Sequence, residues 1–397
     1  VNPELIAGRI MQLHAWAAQR DHHYLSINTV PEPRWVNYVR TRIPLFGVGW
    51  RQLFRILPID LRPAFGSKAP KRDAKATILF AAAYLELRAS LGEKFAAASQ
   101  ECLDRVLRLR AGGASGFGIR QDNILYLKAY RTREQDISPL LTAWAGRLFL
   151  RAYRYTQNSE YLSYAAAVAR YFLNEHPHET SSEGTYFYYD PNLSGVIFNA
   201  SGEISSYLVE FGSVGQDREA TYAGQDGLRY LIAHQNQDGS WFYGLGPRFR
   251  YIDNFHTAFV LNAIASAVKY LHWPDLSKSL KRGIQYFTLN LFRESSSGLK
   301  PIHLDRRFLP WNSNLIQRVD LRDVTASVVL FLELGQQDRR YRELADRLLL
   351  WALQHMRSAN GTFCPEITLL WKNSIPYIEF QAWMLYCLAR YQHVTAV

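Results

Sequence analysis

Cysteine is scarce in this chain, with three in 397 residues. Cys102, Cys364 and Cys387 are an odd number without C-x-x-C spacing, which argues against a disulfide framework and against a zinc site. Long apolar runs are missing as well. None approaches the roughly 20 residues that cross a bilayer as a helix, so no membrane span is expected. The opening Val1-Asn2-Pro3-Glu4 carries neither the basic stretch nor the apolar core of a secretory leader. A cytoplasmic protein is the expectation, although a chain without an initiator Met leaves a trimmed leader open. There is no glycine-rich phosphate loop, no H-E-x-x-H and no G-x-S-x-G, so the commonest nucleotide, zinc-hydrolase and serine-hydrolase signatures are absent. No cofactor and no metal is expected, and His22-His23, lacking a carboxylate cluster, reads as a surface pair.

Lysine is scarce too: ten stand against 36 arginines. Basic residues outnumber acidic ones by 46 to 35, a net charge of +11, which favours an anionic partner. Guanidinium pairs bidentately with carboxylate or phosphate where ammonium is a point charge. An arginine-rich codon bias explains the same numbers without any partner. No run of Lys and Arg and no nucleic-acid-binding module occurs, so nucleic acid is not the expected partner. Nothing in the chain speaks to an oligomeric state.

What is present is a repeat. Hydrophobic residues make up 48% and charged residues 20%, enough for a sizeable core. Five times a helical pattern ends in a glycine followed by a short aromatic or apolar stretch. These are Gly116-Phe117-Gly118, Gly184-Thr185-Tyr186, Gly239-Ser240-Trp241, Gly298-Leu299-Lys300 and Gly361-Thr362-Phe363, 55 to 68 residues apart. A strand-like connection follows each, then a helix that is apolar almost all round. Residues 257–269 show such a helix, whereas in 276–291 apolar residues recur three and four apart with Lys278, Lys281 and Arg282 between them.

Six apolar helices, over 76–91, 142–155, 203–211, 257–269, 325–334 and 378–391, alternate with five amphipathic ones, and 4–19 supplies a sixth. The expected fold is therefore all-α, an (α/α)6 toroid of six helical hairpins with short β-hairpin connections at the cavity end. An open solenoid would need polar caps, and the last inner helix is too apolar for one. Residues 1–72 are expected to form an N-terminal helix and an irregular arm packing on a toroid over 73–397, one structural domain in all. The inner helices are expected to pack too tightly for a ligand to lie between them. The usable cavity should then sit at their N-termini, where free N–H groups and the helix dipoles favour an anion.

The densest polar cluster lies there, before the fourth inner helix: Trp241, Tyr243, Arg248, Arg250, Tyr251, Asp253, Asn254, His256 and Thr257. Asp253 suits an N-cap as well as a catalytic carboxylate. His256 leads an otherwise apolar helix. Polar residues recur where the other inner helices begin, at Asp136 and Ser138, Asn199 and Glu203, Asp320, Arg322 and Asp323, and Tyr377, Glu379 and Gln381. Glu203 and Glu379 fall inside runs that should be buried, where a carboxylate needs either an arginine or a wet cavity. Glu86 and Glu333 sit near the far ends of inner helices, where pairing suffices. Two connections are rich in aromatic and ionisable groups: Tyr186 to Pro191, including Tyr189 and Asp190, and a second with His303, Asp305, Arg306, Arg307 and Trp311. Aromatic platforms flanked by Asp, Asn and Arg suit sugars, and stacking between hairpins is the plainer explanation for any single ring.

Pro58-Ile59-Asp60-Leu61-Arg62-Pro63, Lys71 to Tyr84, Asp238-Gly239-Ser240-Trp241-Phe242-Tyr243 and Ile252-Asp253-Asn254-Phe255-His256-Thr257 resemble the prokaryotic α-toroid proteins of exopolysaccharide gene clusters, often labelled squalene-cyclase-like or prenyltransferase-like. That resemblance spans most of the chain from Pro58 onward and implies a polysaccharide setting. Asp253, His256 and Thr257 are more loosely similar to a D-Y-H-T segment in the helical domain of glucuronyl C5-epimerases, with Tyr186 to Pro191 in place of an upstream tyrosine-rich connection. Here Asn254-Phe255 replaces the tyrosine and removes a phenol; Tyr243 or Tyr251 could substitute. Gln235 to Trp241 is also similar to a terpene-cyclase repeat, but the acidic D-x-D-D-like proton donor of those enzymes is absent.

Three functions are consistent with these residues. One is an enzyme acting on a uronate in an acidic polysaccharide, by C5 epimerisation or β-elimination. In it His256 or Tyr243 is the base, Glu203 the partner acid, and Arg250 and Arg322 hold the carboxylate. Asp253 is counted with His256, Glu203 and Tyr243 among the catalytic candidates, with Trp241, Tyr251, Tyr189, Asp190, Asn199, Asp323, Tyr377 and Glu379 lining the substrate. The second is a glycoside hydrolase using two of Asp253, Glu203, Asp323 and Glu379. The third is a glycan-binding or assembly protein without catalysis.

Overall fold

The computed structural model describes residues 1–26, 73–121, 135–190, 195–308, 318–368 and 371–396, with isolated positions between 36 and 50. The segments Pro58 to Pro63 and Lys71, and also Trp311, lie outside the described residues. In chain order the helices are α1 (Pro3–Ala18), α2 (Ala74–Leu91), α3 (Ala96–Arg108), α4 (Pro139–Thr156), α5 (Ser159–Asn174) and α6 (Phe198–Val214). They continue with α7 (Arg218–Ala233), α8 (Asn254–Val268), α9 (Pro274–Asn290), α10 (Leu321–Leu334), α11 (Arg339–His355) and α12 (Ile378–Ala396). The even-numbered helices form the inner ring. Each packs on the next, α2 on α4 and so on to α12, and α12 packs back on α2, which closes the toroid. α1 packs on α12 as the sixth outer helix. No helix among the described residues is long and apolar enough to cross a membrane.

Burial separates the two rings as the periodicity predicts. In α9, Leu276, Leu280, Ile284 and Phe287 are buried and Lys278 and Lys281 are exposed. In α2 nearly every residue from Ala74 to Leu87 is buried. Each fully buried Leu, Ile or Phe contributes roughly 1.5–3 kcal/mol, so the inner ring dominates the stability. Cys102, Cys364 and Cys387 are buried free thiols within this packing.

The repeated glycines close the contacts between hairpins. A Cβ on Gly116 would stand 2.0 Å from the Ala167 carbonyl oxygen of α5, and one on Gly184 2.4 Å from that of Asp226 in α7. On Gly239 it would meet the Arg282 carbonyl of α9 at 2.5 Å, and on Gly298 the Arg347 carbonyl of α11 at 2.6 Å. Each turn thus seats on the backbone of the following outer helix, and Gly361 faces Gln12 of α1 at 3.5 Å, completing the circuit.

Short antiparallel pairs lead into the inner helices: β1 (Arg110–Gly112) with β2 (Phe117–Ile119), β3 (His178–Ser181) with β4 (Gly184–Phe187), and β5 (Phe292–Ser295) with β6 (Gly298–Pro301). A sheet of β7 (Val319–Asp320), β8 (Glu366–Ile367) and β9 (Lys372–Asn373) ties the connection before α10 to the one before α12. Single bridges join Ile197 to Gly244 and Asp253 to Leu304, so adjacent connections are linked around the mouth of the ring.

Two expectations need correction here. α4, α6 and α10 begin at Pro139, Phe198 and Leu321, three to five residues before the apolar periodicity starts. Asn199, Arg322 and Asp323 therefore lie inside first turns, at the helix starts where polar residues were expected, and only the bounds of the helices change. Polar residues belong there because the first N–H groups of a helix have no intrahelical acceptor. His22 is not a surface residue: it is 6% exposed, with Nε2 3.0 Å from the Tyr84 hydroxyl. Burial first, then the neighbouring Arg105, lowers its pKa to about 4.

Candidate active site

Asp253 is both a cap and an orienting group. Its Oδ1 accepts the His256 backbone N–H at 2.8 Å, capping α8, and its Oδ2 stands 2.7 Å from His256 Nδ1. A carboxylate accepts only, so Nδ1 carries a proton, and in the neutral ring the lone pair is on Nε2. Nε2 has no partner among the described residues, and the side chain is 29% exposed. Burial raises the Asp253 pKa, but the His256 ring and then His303 outweigh it and hold the group below the usual carboxylate value. The rest of the segment is structural. Asn254 Nδ2 donates to the Leu291 carbonyl and its Oδ1 accepts from Ser327, and the Thr257 hydroxyl donates to the Asp253 carbonyl at 2.6 Å.

Tyr243 lies edge-on to His256, with ring centroids 4.5 Å apart, and stacks on Tyr251 at 5.1 Å. Burial raises the pKa of both phenols, so both stay protonated. A small hollow of about 10 Å³ is bordered by Asp253, His256, Tyr243, Phe242 and Asn199. The Asn199 Oδ1 is buried there without a hydrogen-bond partner. Tyr189 and Tyr243 both pack against the cluster of Ile197, Ala200 and Phe249, and burial, then Asp190, pushes the Tyr189 pKa up to about 12. Arg250 is exposed, with its guanidinium 5.3 Å from the Phe242 ring centroid.

A second imidazole joins this mouth. The bridge from Asp253 to Leu304 and the bond from the Asn254 N–H to the His303 carbonyl bring His303 alongside. His303 Nδ1 lies 2.8 Å from Asp323 Oδ2, and Arg318 donates to its Nε2 at 2.8 Å. Arginine is always a donor, so Nε2 accepts from Arg318 and the Nδ1–H faces Asp323. Asp323 Oδ1 is buried without a partner, and burial, against the pull of His303, holds its pKa above the usual value. Among the described residues, no group of three or more His, Cys, Asp or Glu side chains is placed to hold a metal ion.

Several candidates have other roles. Trp241 is 2% exposed, and its indole N–H donates to the Leu231 carbonyl at 2.9 Å; it is a core ring, not a sugar platform. Tyr377 is fully buried. Arg322 is held by Asp320 at 2.7 Å and Glu379 at 3.8 Å, and lies 5.1 Å from both the Phe255 and Phe380 rings. It positions acidic groups of the protein and is not a free clamp for substrate. Glu379 is 1% exposed, and neither carboxylate oxygen is hydrogen-bonded. Burial raises its pKa, Lys75 and Arg322 opposing.

Glu203 does not join the dyad. Asn199 borders the hollow, and four residues on along α6 Glu203 lines a different cavity, with Arg147 Nε at 3.7 Å. Four rings stand between the two levels: Trp144 of α4, Phe255 and Phe259 of α8, and Trp383 of α12, with neighbouring centroids 4.7–5.9 Å apart. α4, α8 and α12 are alternate members of the ring, so these contacts cross its axis. Beyond them a cavity of about 300 Å³ lies between the inner helices, contrary to the expectation of tight packing. Six helices around an axis leave a hole. Aromatic rings fill it near the leading ends, whereas further along the long charged side chains turn to one another and leave space. His303 and Arg318 were not singled out as site residues; only the proximity of His303 to the α10 connection hinted at them.

No protein-family model matches the chain, and no curated protein matches it by sequence. Its fold matches solved structures. A GH76 α-mannanase of Bacteroides thetaiotaomicron superposes with a TM-score of 0.62 at 13% identity, over 81% of this chain and 87% of that one. An unsaturated glucuronyl hydrolase specific for heparin gives 0.62 at 13%, over 100% and 98%. A cellobiose 2-epimerase of Bacillus thermoamylovorans gives 0.54 at 11%, over 79% and 87%. At these identities the likeness is one of fold: the α/α toroid.

Proposed function

We propose that the protein is a carbohydrate-active enzyme that moves a proton at C5 of a uronate residue in an acidic polysaccharide, by epimerisation or β-elimination. The observation that carries this reading is the Asp253–His256 pair, a buried carboxylate that orients an imidazole whose Nε2 is unpartnered at the leading end of the ring. Nε2 takes the C5 proton as general base, and the electron pair moves into the neighbouring carboxylate to give an enolate. Arg250, the exposed cation beside the hollow, and the α8 N-terminus offset that charge. Tyr243, kept protonated, is the candidate to deliver a proton, to the opposite face of C5 for epimerisation or to the departing O4 for elimination. The excess of arginine, the likeness to exopolysaccharide toroids and the sugar-active enzymes that share the fold support a polysaccharide substrate.

A second reading, glycoside hydrolysis, is favoured by one feature. Glu379 and Asp323 are buried carboxyls with raised pKa values, as a general acid requires, and Asp253 is held ionised. Incubation with uronate polymers in deuterated water separates the two. Deuterium at C5, with inverted or 4,5-unsaturated residues, supports proton transfer. New reducing ends without unsaturation or C5 exchange overturn it in favour of hydrolysis. Binding without either change leaves a glycan-binding protein.

A further inference from the structure

Beyond the ring layer, the trailing half of the toroid holds an axial cavity of about 300 Å³, at the lower end of small-molecule pockets. One of its walls comes from a single helix face. Trp144, Arg147, Arg151 and Arg154 of α4 are spaced three, four and three residues apart, so all four point to the axis. The wall is aromatic at its inner end, where Trp144 stacks on Phe259 at 5.4 Å and 14°. Its outer part is polar: Arg151 reaches the Tyr386 hydroxyl at 3.3 Å, and Arg154 donates to Tyr270 at 2.8 Å. Five cations line the space (Arg147, Arg151, Arg154, Lys269 and Arg390) against three carboxylates, Glu203, Glu210 and Glu333, with a fourth, Glu86, behind Arg151 and Arg390.

Arg147 has the longest carboxylate distances of the five cations, and its two terminal nitrogens donate to neutral hydroxyls, Nη1 to Ser266 at 3.1 Å and Nη2 to Ser206. Its Nε is buried with no hydrogen-bond partner, and Glu203 and Glu210 stand off at 3.7 and 3.8 Å. Burial raises the Glu203 pKa, with Arg147 opposing. A buried donor left without an acceptor is unfavourable, so an acceptor entering the cavity beside Arg147 is favoured. The aromatic inner wall suits an apolar C–H face, which a phosphate lacks and a sugar ring has. The excess of cations suits a carboxylate, and the volume suits one sugar residue and not a polymer.

We propose that this cavity is a second saccharide-binding site, separate from the Asp253–His256 mouth, that takes a single acidic sugar residue with its carboxylate on Arg147 and its ring face toward Trp144. The site needs no chemistry at His256, so it stands whether or not the proton-transfer reading does.

The test is titration of the full chain with D-glucuronate, read by calorimetry and tryptophan fluorescence, with D-glucose and inorganic phosphate as parallel probes. The expected result is saturable binding of glucuronate at least about tenfold tighter than glucose. Arg147→Gln weakens it by about tenfold or more, whereas His256→Ala binds it as the parent does. Arg154→Gln, at the more exposed rim, weakens it by a smaller factor and serves if Arg147→Gln does not fold. No saturable binding, equal binding of glucose, or preference for phosphate overturns the proposal. So does binding that is unchanged in the folded arginine variants or lost in His256→Ala.

Discussion

Glu86 and Glu379 are equally buried on inner helices at opposite ends of the same ring, and they are held in opposite states. Glu86, near the trailing end of α2, receives Arg151 at 3.1 Å, Arg390 at 3.0 Å and the Tyr155 hydroxyl at 3.0 Å. Burial raises its pKa, and these partners more than reverse that. Glu379, in the first turn of α12, has Arg322 at 3.8 Å and no hydrogen bond, and burial wins. Burial alone therefore says little about a carboxylate here. The cluster around Glu86 compensates its charge, whereas Glu379 at the leading end is left uncompensated, which is an electrostatic feature of reactive sites.

The contrast is broken most severely at the leading end. His256→Ala is expected to lower C5 exchange on a uronate polymer by about 10²–10⁴-fold with the far-ultraviolet circular dichroism unchanged. Asp253→Asn separates the two duties of that side chain. Asn caps a helix as well as Asp, so thermal stability should hold, while the wrong histidine tautomer lowers turnover by up to about 10⁴-fold. Equal losses of stability and activity in Asp253→Asn would reduce the pair to a cap.

At the trailing end the expected loss is of stability. Glu86→Ala leaves Arg151 and Arg390 facing each other and should cost about 3–5 kcal/mol in urea unfolding, with turnover per folded molecule unaltered. Because the folded-state pKa of Glu86 lies below its ordinary 4.5, its contribution is full above that value and is lost as pH falls through the folded pKa. Arg250→Gln should lower kcat/KM for a uronate polymer roughly tenfold, with kcat falling as well because the charge it offsets is greatest in the enolate. The smallest effect is Glu379→Gln. Its folded-state pKa lies above 4.5, so the proton it retains stabilises the fold below the unfolded pKa and that benefit is lost as pH rises through the folded value. The variant should therefore melt slightly higher than the parent at neutral pH, and the difference should vanish toward pH 4.

Much of the ring was legible before any coordinates. Leu276, Leu280, Ile284 and Phe287 mark a one-sided helix, and residues 257–269 mark a buried one, because a helix face repeats every 3.6 residues whatever its neighbours. The glycines at 116, 184, 239 and 298 were visible as a period, and the backbone contacts explain why no other residue fits there. The dyad was half legible. Asp253 and His256 are three residues apart at a helix start, close enough for a local contact that spacing can forecast. Glu203 misled because its burial was foreseen correctly but its direction was not. Trp241 misled because a ring on a glycine turn reads as exposed until the next hairpin covers it.

The amino-acid order by itself determined which segments become helices and which of them are buried all round, and it put Asp253 and His256 within reach of each other. All of these are set by neighbours within a few residues along the chain. Only the tertiary structure decided that His303 and Asp323 join that mouth, that four rings divide the axis, and that Arg147 faces a cavity on the far side. Those relations link residues on different hairpins, and closing the ring is what fixes which side chains share the axis and which are left without a partner.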